Sequence, residues 1–492
     1  MKRVVVIGSG MGGLTAARLL QLRGMDVTVL EQHYRPGGML HRFYRPGAAF
    51  DTGFHYCGGI DAGQPLGQAL RHLGVFDRLR FHALDPDGFD VLRFGADEVR
   101  IPTGWDRYTE RLIGLFPAEE ASIHAVIGEM RRAVDAYGAY RMRAESDLAA
   151  VLDVEGRSLA SLLDHHVRDP HLRMVLIGQA VLYGVPPEDA PVGLHSLILD
   201  HFLAGAYTIE GGGDALALVR TIRAAGGRVL LRSAATSIEV RDGSATAVLV
   251  GEQRYEADLV VSNLHPRLTL GLLPEDATRK AYRTRVADTV VGHAHLGVYL
   301  TIRGRAESLG NANFYGHPSW DPADAALDIA PGRTGVYFAS APSEHTSAPD
   351  AERGVVLMLF PMQWSQVARW AGETPRSPEY VAYKDALLAT ALDRLERDHP
   401  SLRGRVISAE VSTPLTTEHF THSPEGATYG HYHSVAQMGR YRPSQTLRVK
   451  NVRLVGQGVS NPGILGTTLS AYHAVGHELG DPAGLLAELR AS

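Results

Sequence analysis

The chain of 492 residues holds one cysteine, no block of like charge, and no uninterrupted apolar run long enough to span a bilayer. A lone Cys57 excludes an intrachain disulfide framework and suits a reducing compartment. The formal net charge of -5 is dispersed, which argues against a nucleic-acid footprint and against a polybasic membrane tether. Lysine is scarce, whereas arginine, alanine and glycine abound. With 45% apolar and 21% charged residues, the composition is that of an ordinary globular protein with two or three domains or two large lobes. Met1-Lys2-Arg3 before VVVIGSGMGGLTAA could be taken for a secretion signal, but glycines interrupt the apolar run at spacings with another meaning. The expected location is therefore cytoplasmic.

Those glycines begin the positive argument. Arg3 to Ile7 is a β-branched run that reads as a buried parallel strand, and Gly8-Ser9-Gly10-Met11-Gly12-Gly13 follows at once. The pattern is then helical to Leu22, with Gly24 closing the helix, and DVTVLE supplies a second strand ending in Glu31. Strand, G-x-G-x-x-G turn, helix, strand and terminal acid make one βαβ unit that predicts a dinucleotide cradle. Gly8 permits the tight turn, Gly10 lets a pyrophosphate approach the backbone, and Gly13 lets helix pack on strand. The helix N-terminus faces the phosphates. Glu31 is placed to accept hydrogen bonds from a ribose 2′-hydroxyl.

A second glycine turn, Arg35-Pro36-Gly37-Gly38, comes where a simple nicotinamide enzyme would enter another helix, and FDTGFHYCGG follows from Phe50 to Gly59. The stretch from Glu31 to Gly59 resembles the flavin-dependent family of phytoene desaturases, carotene isomerases and retinol saturases. Its EQH, paired glycines and FDTGFHY look most like the retinol saturase branch. The resemblance implies bound FAD, with Gly37 and Gly38 beside the flavin end. Many of these desaturases carry arginine after the paired glycines; this chain has Met39, with Arg35 and Arg42 as the nearest arginines. Which of the two touches the cofactor is left open.

The middle of the chain shows strand-like FDVLRFGADEVRIP, helical GWDRYTERLIGLFP and a long helical stretch from about Ala118 to Ala150. The apolar helical run from Leu182 to Tyr207 resembles the saturase group again and suits either a substrate lining or plain core. From Gly211, a loop, an amphipathic helix ending at Gly226-Gly227, a strand and the hairpin signal Asp242-Gly243 follow, and YEADLVVSNLHP adds a buried strand. This order resembles the family's second FAD segment, which puts Ala235 beside the adenine. Glu210 stands where the family often has a basic residue.

Near the far end, KNVRLVG reads as a strand, QGVSNPGILG as a turn and TTLSAYHAVGHELG as a helix, able to return beside the first βαβ unit. In the resembling family this segment crosses the isoalloxazine ring, which implies cofactor contacts from Gly456, Gln457, Gly463, Ile464 and Leu465. The preceding PEGATYG and RPSQT also resemble the family. The expected architecture is a glutathione reductase-type, two-lobed α/β flavoprotein. A Rossmann-like FAD-binding domain of residues 1–60, 205–266 and 420–492 is interleaved with an α+β substrate domain of 61–204 and 267–419.

The chemistry expected is hydride exchange through flavin N5 with a C=C bond of a long apolar or conjugated polyene substrate, most simply its reduction. Reduction also needs a proton donor, and His55 and Tyr56 are the candidates in the flavin-proximal block; for His55, packing is the ordinary role. No second glycine fingerprint marks an NAD(P)H site, so a nicotinamide reductant would visit transiently, or another donor would serve. A desaturase, an isomerase or a reductive cyclase of a polyene natural product would use the same cradle. A GDP-dissociation-inhibitor-like binder of prenylated proteins would show an eroded one, and the saturase-like blocks argue against a flavin amine oxidase. His293 with His295, and His431 with His433, lack a clear further ligand, so no metal is expected. An apolar substrate implies visits to a membrane surface, although no amphipathic anchor stands out.

Overall fold

The computed structural model describes residues 1–143, 145–216, 218–341 and 352–492. Residues 144 and 217, within two of the stretches expected to be helical, and 342–351, within the expected substrate domain, lie outside them.

Arg3–Ile7 and Asp26–Leu30 sit in a five-stranded parallel sheet with the order Arg228–Leu230, Asp26–Leu30, Arg3–Ile7, Leu259–Ser262, Val452–Leu454. Val4 to Ile7 are all buried, as a parallel strand covered on both faces requires. The helix Met11–Leu22 makes the first crossover and ends where Gly24 takes a left-handed φ of 74°. The last long helix, Gly463–Leu479, packs against it. Beside this sheet, Ser237–Arg241, Ser244–Val250 and Gln253–Glu256 form an antiparallel meander. Asp242 and Gly243 both have positive φ at its first turn, the geometry that matches strand twist in a two-residue hairpin.

The second lobe is built on a seven-stranded sheet ordered Val406–Ser412, Ala294–Arg303, Arg353–Met362, Tyr337–Ser340, Asn313–His317, Asp90–Phe94, Asp97–Ile101. Only the pairing of Asn313–His317 with Asp90–Phe94 is parallel. Helices from Trp105 to Leu203 pack over it, with Glu120–Ala136 and Val192–Leu203 in direct contact. The long helix expected over 118–150 is instead broken: Glu120–Ala136 ends at Tyr137, and Leu148–Gly156 is a separate helix. Gly138 makes the break possible, because a Cβ there would lie 1.9 Å from the Glu145 carbonyl oxygen of the returning loop.

The strands of residues 1–30, 228–262 and 452–454 share the parallel sheet, and those of 90–101 and 294–412 share the larger one. Between 42 and 60 the side chains divide: Ala48, Phe50 and Tyr56 enter the core of the second lobe, while Phe54, Cys57 and Ile60 enter that of the first. Where strand 3–7 ends, the two lobes face each other across a cleft. Among the described residues, no helix is long and apolar enough to cross a membrane.

Candidate active site

The cleft holds two cavities. The first, about 350 Å³, opens at the carboxyl ends of the parallel strands, and its wall is rich in glycine. Gly8, Gly10, Gly12, Gly37 and Gly38 line it. Gly8 has a φ of 90° and donates to the Leu30 carbonyl; Gly37 (φ 115°) donates to the Ser9 carbonyl. The two glycine turns touch: a Cβ on Gly38 would lie 3.2 Å from the Gly10 Cα. Helix Met11–Leu22 has no side-chain cap and no acid in its first turn, leaving its first amides for an anion. The same holds for Gly463–Leu479, whose Gly463 and Ile464 reach the cavity.

Glu31 is buried in this wall. Its Oε2 accepts from the Ser9 amide at 2.8 Å and the Ser9 hydroxyl at 2.6 Å, and its Oε1 accepts from the His33 amide at 2.8 Å. The carboxylate thus ties the end of the second strand to the first glycine turn and keeps acceptor capacity toward the cavity. Asn263, which sequence reasoning missed, fills the space the glycines leave. Its amide lies 2.6 Å from where a Cβ on Gly10, Gly12 or Gly456 would stand. Its signal was position, one residue past the buried strand Leu259–Ser262. Ser9, Gly12, Gly430 and Gly458 are further wall residues that were not anticipated.

Of the remaining expected cofactor contacts, Arg35, Met39, Ala235 and Gln457 line the first cavity. Gln457 is fixed by donating to the Thr428 carbonyl at 2.7 Å. Arg35 holds its guanidinium over the Tyr44 ring at 4.7 Å. Arg42 does not belong there: its side chain is buried on the Arg42–Arg45 strand and pairs with Asp51 at 3.3 Å. Gly13 and Gly456 stand behind the wall. A Cβ on Gly13 would lie 2.2 Å from the Gly8 carbonyl oxygen, so its role is the close packing the motif requires. Leu465 faces only the second cavity.

That second cavity, about 510 Å³, has walls of side chains. Phe54, Leu194, Leu197, Ile198, Phe202 and Leu469 make it apolar, and Glu155, Arg442 and Asn461 form a polar cluster in it. Arg442 Nη2 donates to Asn461 Oδ1 at 2.6 Å and lies 3.4 Å from Glu155 Oε1. Four residues line both cavities: Gly53, Tyr429, Gly463 and Ile464. The two spaces meet there.

His55 and Tyr56 both line the second cavity. Burial pushes the His55 imidazole down to about 4, so it is neutral at ordinary pH. The Tyr56 ring stacks on Phe202 at 4.2 Å, but its hydroxyl donates to Asp90 at 3.1 Å and lies 2.8 Å from the Tyr315 hydroxyl. Neither Asp90 nor Tyr315 is in the wall, so the Tyr56 hydroxyl is turned into a buried network with Asn313 and Gln179. Burial also pushes the Cys57 thiol up to about 12, leaving it a small apolar wall group. His293 precedes rather than occupies the strand Ala294–Arg303, and His295 Nδ1 is 2.9 Å from the Thr428 hydroxyl. The His431 and His433 rings lie 4.0 Å apart. Among the described residues, no group of three or more metal-ligating side chains is arranged to hold a metal ion.

Comparison with known proteins agrees with this architecture. The chain is 27% identical to all-trans-retinol 13,14-reductase of Danio rerio over 95% of its length and 84% of that protein's. It is 25% identical to prolycopene isomerase 2, chloroplastic, of an Oncidium hybrid cultivar, over 87% of its length and 74% of that protein's. An oxidoreductase from Methanosarcina mazei shares the fold with a TM-score of 0.68 at 17% identity, over 96% of this chain and 99% of that one. Residues 11–476 match the family described as flavin containing amine oxidoreductase, and with its glycine cradle, paired cavities and two-lobed fold the chain belongs to that family.

Proposed function

We propose that the chain is an FAD-dependent oxidoreductase that reduces a C=C bond in a long apolar or conjugated polyene substrate. The observation that carries this reading is the junction itself: a glycine-rich cavity suited to a dinucleotide opens into an apolar cavity through four residues. FAD, when bound, supplies hydride exchange at its flavin ring. Residues 1–60, 205–266 and 420–492 make the cofactor side, and 61–204 and 267–419 most of the substrate side.

The protein's own part is binding and orientation. The Gly8–Gly13 turn and the uncapped N-terminus of Met11–Leu22 hold the pyrophosphate, and Glu31 holds the ribose. Gly37, Gly38 and Met39 flank the flavin end together with Gly463 and Ile464. Arg35 is the arginine of the cofactor side. Phe54, Leu197, Ile198 and Phe202 keep water from the reacting bond and align the chain of the substrate. A relative named for reduction of retinol supports the direction of reaction, and a nicotinamide visiting the flavin transiently serves as reductant. Cis-trans isomerisation is the second reading, favoured by the prolycopene isomerase relative and open to the same apolar cavity.

Anaerobic titration of the purified protein tests both. A flavin spectrum bleached by NADPH and restored by all-trans-retinol or a longer polyene, with a dihydro product, supports reduction. Conversion of a cis polyene to its trans isomer without net flavin reoxidation would replace reduction by isomerisation. A protein that binds no FAD even when it is supplied would end both readings.

A further inference from the structure

Reduction of a C=C bond adds a hydride to one carbon and a proton to its neighbour, so the proton donor must reach the substrate close to the point where it meets the cofactor. Four residues line both cavities, and three of them, Gly53, Gly463 and Ile464, carry no transferable proton. The fourth is a tyrosine. We propose that Tyr429 is the catalytic residue that donates this proton, an assignment that rests on the ene-reductase reading above.

The local structure fixes Tyr429 at that point. The backbone before it is held on three sides: the Thr428 amide donates to the His293 carbonyl, its hydroxyl meets His295 Nδ1, and its carbonyl accepts from Gln457. The Tyr429 carbonyl accepts from His433 Nε2 at 3.0 Å, and the Gly430 carbonyl from the Gly292 amide at 2.8 Å. The ring packs edge-on against His295 at 6.1 Å. Its hydroxyl, by contrast, makes no hydrogen bond to any described residue, although the side chain is largely buried. Burial holds the phenol above its ordinary range, so it is present as the protonated donor rather than as a base.

The other candidates lack one requirement each. Burial keeps His55 neutral, without the imidazolium that would be its effective acid, and the Tyr56 hydroxyl is committed to Asp90 and Tyr315. The balance is simple. A bound flavin, reduced beforehand by a nicotinamide-class donor, would supply two electrons and one hydrogen as hydride to one alkene carbon. The Tyr429 Oη–H bond breaks as a C–H bond forms at the other carbon. The phenolate then recovers its proton from water once the product leaves.

The test compares holoenzymes of the wild type, Tyr429→Phe and His55→Gln. Tyr429→Phe is expected to bind FAD and melt as the wild type does, and to be reduced by NADPH at the same rate. Reoxidation of its flavin by all-trans-retinol should fall by roughly 100-fold or more, the usual worth of a positioned acid. The solvent deuterium isotope effect on that step in the wild type should be altered with it. A second readout needs no turnover: a tyrosine beside the ring quenches flavin emission, so oxidised Tyr429→Phe should fluoresce severalfold more than the wild type. Unchanged reoxidation or unchanged emission in Tyr429→Phe, beside a wild type that turns over, overturns the assignment alone. Loss of reoxidation in His55→Gln only would transfer the role to His55. A wild type whose reduced flavin no polyene reoxidises overturns the ene-reductase reading and the assignment together.

Discussion

The two cavities are built in opposite ways. The first is rich in glycine: nine glycines line it, with two uncapped helix starts and one buried acid that braces the turns. The second is walled mainly by side chains, drawn from residues 53–57, 137–155, 182–202 and 442–473 and from Tyr429. A glycine-rich wall recognises a cofactor common to many enzymes, and any added Cβ damages it. A side-chain wall recognises one substrate and can be recut without touching the first.

The contrast predicts separable effects. The largest should come from Gly13→Val, whose Cβ would stand 2.2 Å from the Gly8 carbonyl oxygen and 3.0 Å from the Asn263 Cβ. Purified protein should carry no flavin and show a lower melting temperature, with an overpacking cost of about 1–3 kcal/mol before any loss of cofactor is counted. Retention of stoichiometric FAD by this variant would break the glycine-wall account.

Arg42 and Arg35 sharpen it. Arg42→Ala leaves the partly buried Asp51 carboxylate with the Gly213 amide but without its guanidinium, and should cost about 1–3 kcal/mol of stability in a denaturant titration of the apoprotein. Arg35→Ala should leave apoprotein stability nearly unchanged and weaken FAD binding, read by dialysis against limiting FAD. The reverse pattern would return Arg42 to the cofactor.

Acid should act on the second cavity through His55. Its folded pKa, about 4, lies below the 6.5 of an exposed imidazole, because burial disfavours the charged ring. The unfolded chain therefore binds the extra proton first, so this contribution to stability is full above pH 6.5 and is lost as pH falls toward 4. The limit is about 3 kcal/mol, reduced by whatever water the cavity admits. Burial depresses His201, in the same cavity, and His195, His265, His317 and His399 in the same way, so His55→Phe should make the fall in melting temperature between pH 6.5 and 4 shallower by one histidine's share, and leave melting unchanged at pH 8.

The smallest effect is the most selective. Leu197→Trp fills part of the second cavity and should lower kcat/KM for a long polyene by about tenfold, or 1.4 kcal/mol, with the flavin spectrum untouched. A changed flavin spectrum would mean the walls are not independent.

The same contrast governs what could be read before the structure. Gly8, Gly10, Glu31, Gly37 and Gly38 were legible because a glycine-rich wall leaves its mark as spacing along a continuous stretch. The closing strand, turn and helix were legible for the same reason, although the helix begins at Gly463, earlier than its glycines suggested. Side-chain direction was not legible. Arg42 lies in the block beside the paired glycines, but the pairing of Arg42–Arg45 with Ala48–Asp51 sets it opposite Asp51. Tyr56 adjoins the cavity, yet its hydroxyl belongs to a network completed by Asp90 and Tyr315, far away in sequence. Tyr429 stands in the PEGATYG stretch whose order was noticed, while its place at the junction depended on contacts with residues 293, 295 and 457.

The placement of Gly463–Leu479 against Met11–Leu22 has a consequence for folding. The two helices that border the first cavity are separated by about 450 residues of chain, so their pairing is a contact of long sequence separation, with a loop-closure cost met only as the rest of the fold forms. A cofactor that touches both would clamp distant stretches of one chain, and its free concentration would then enter the stability of the whole fold logarithmically.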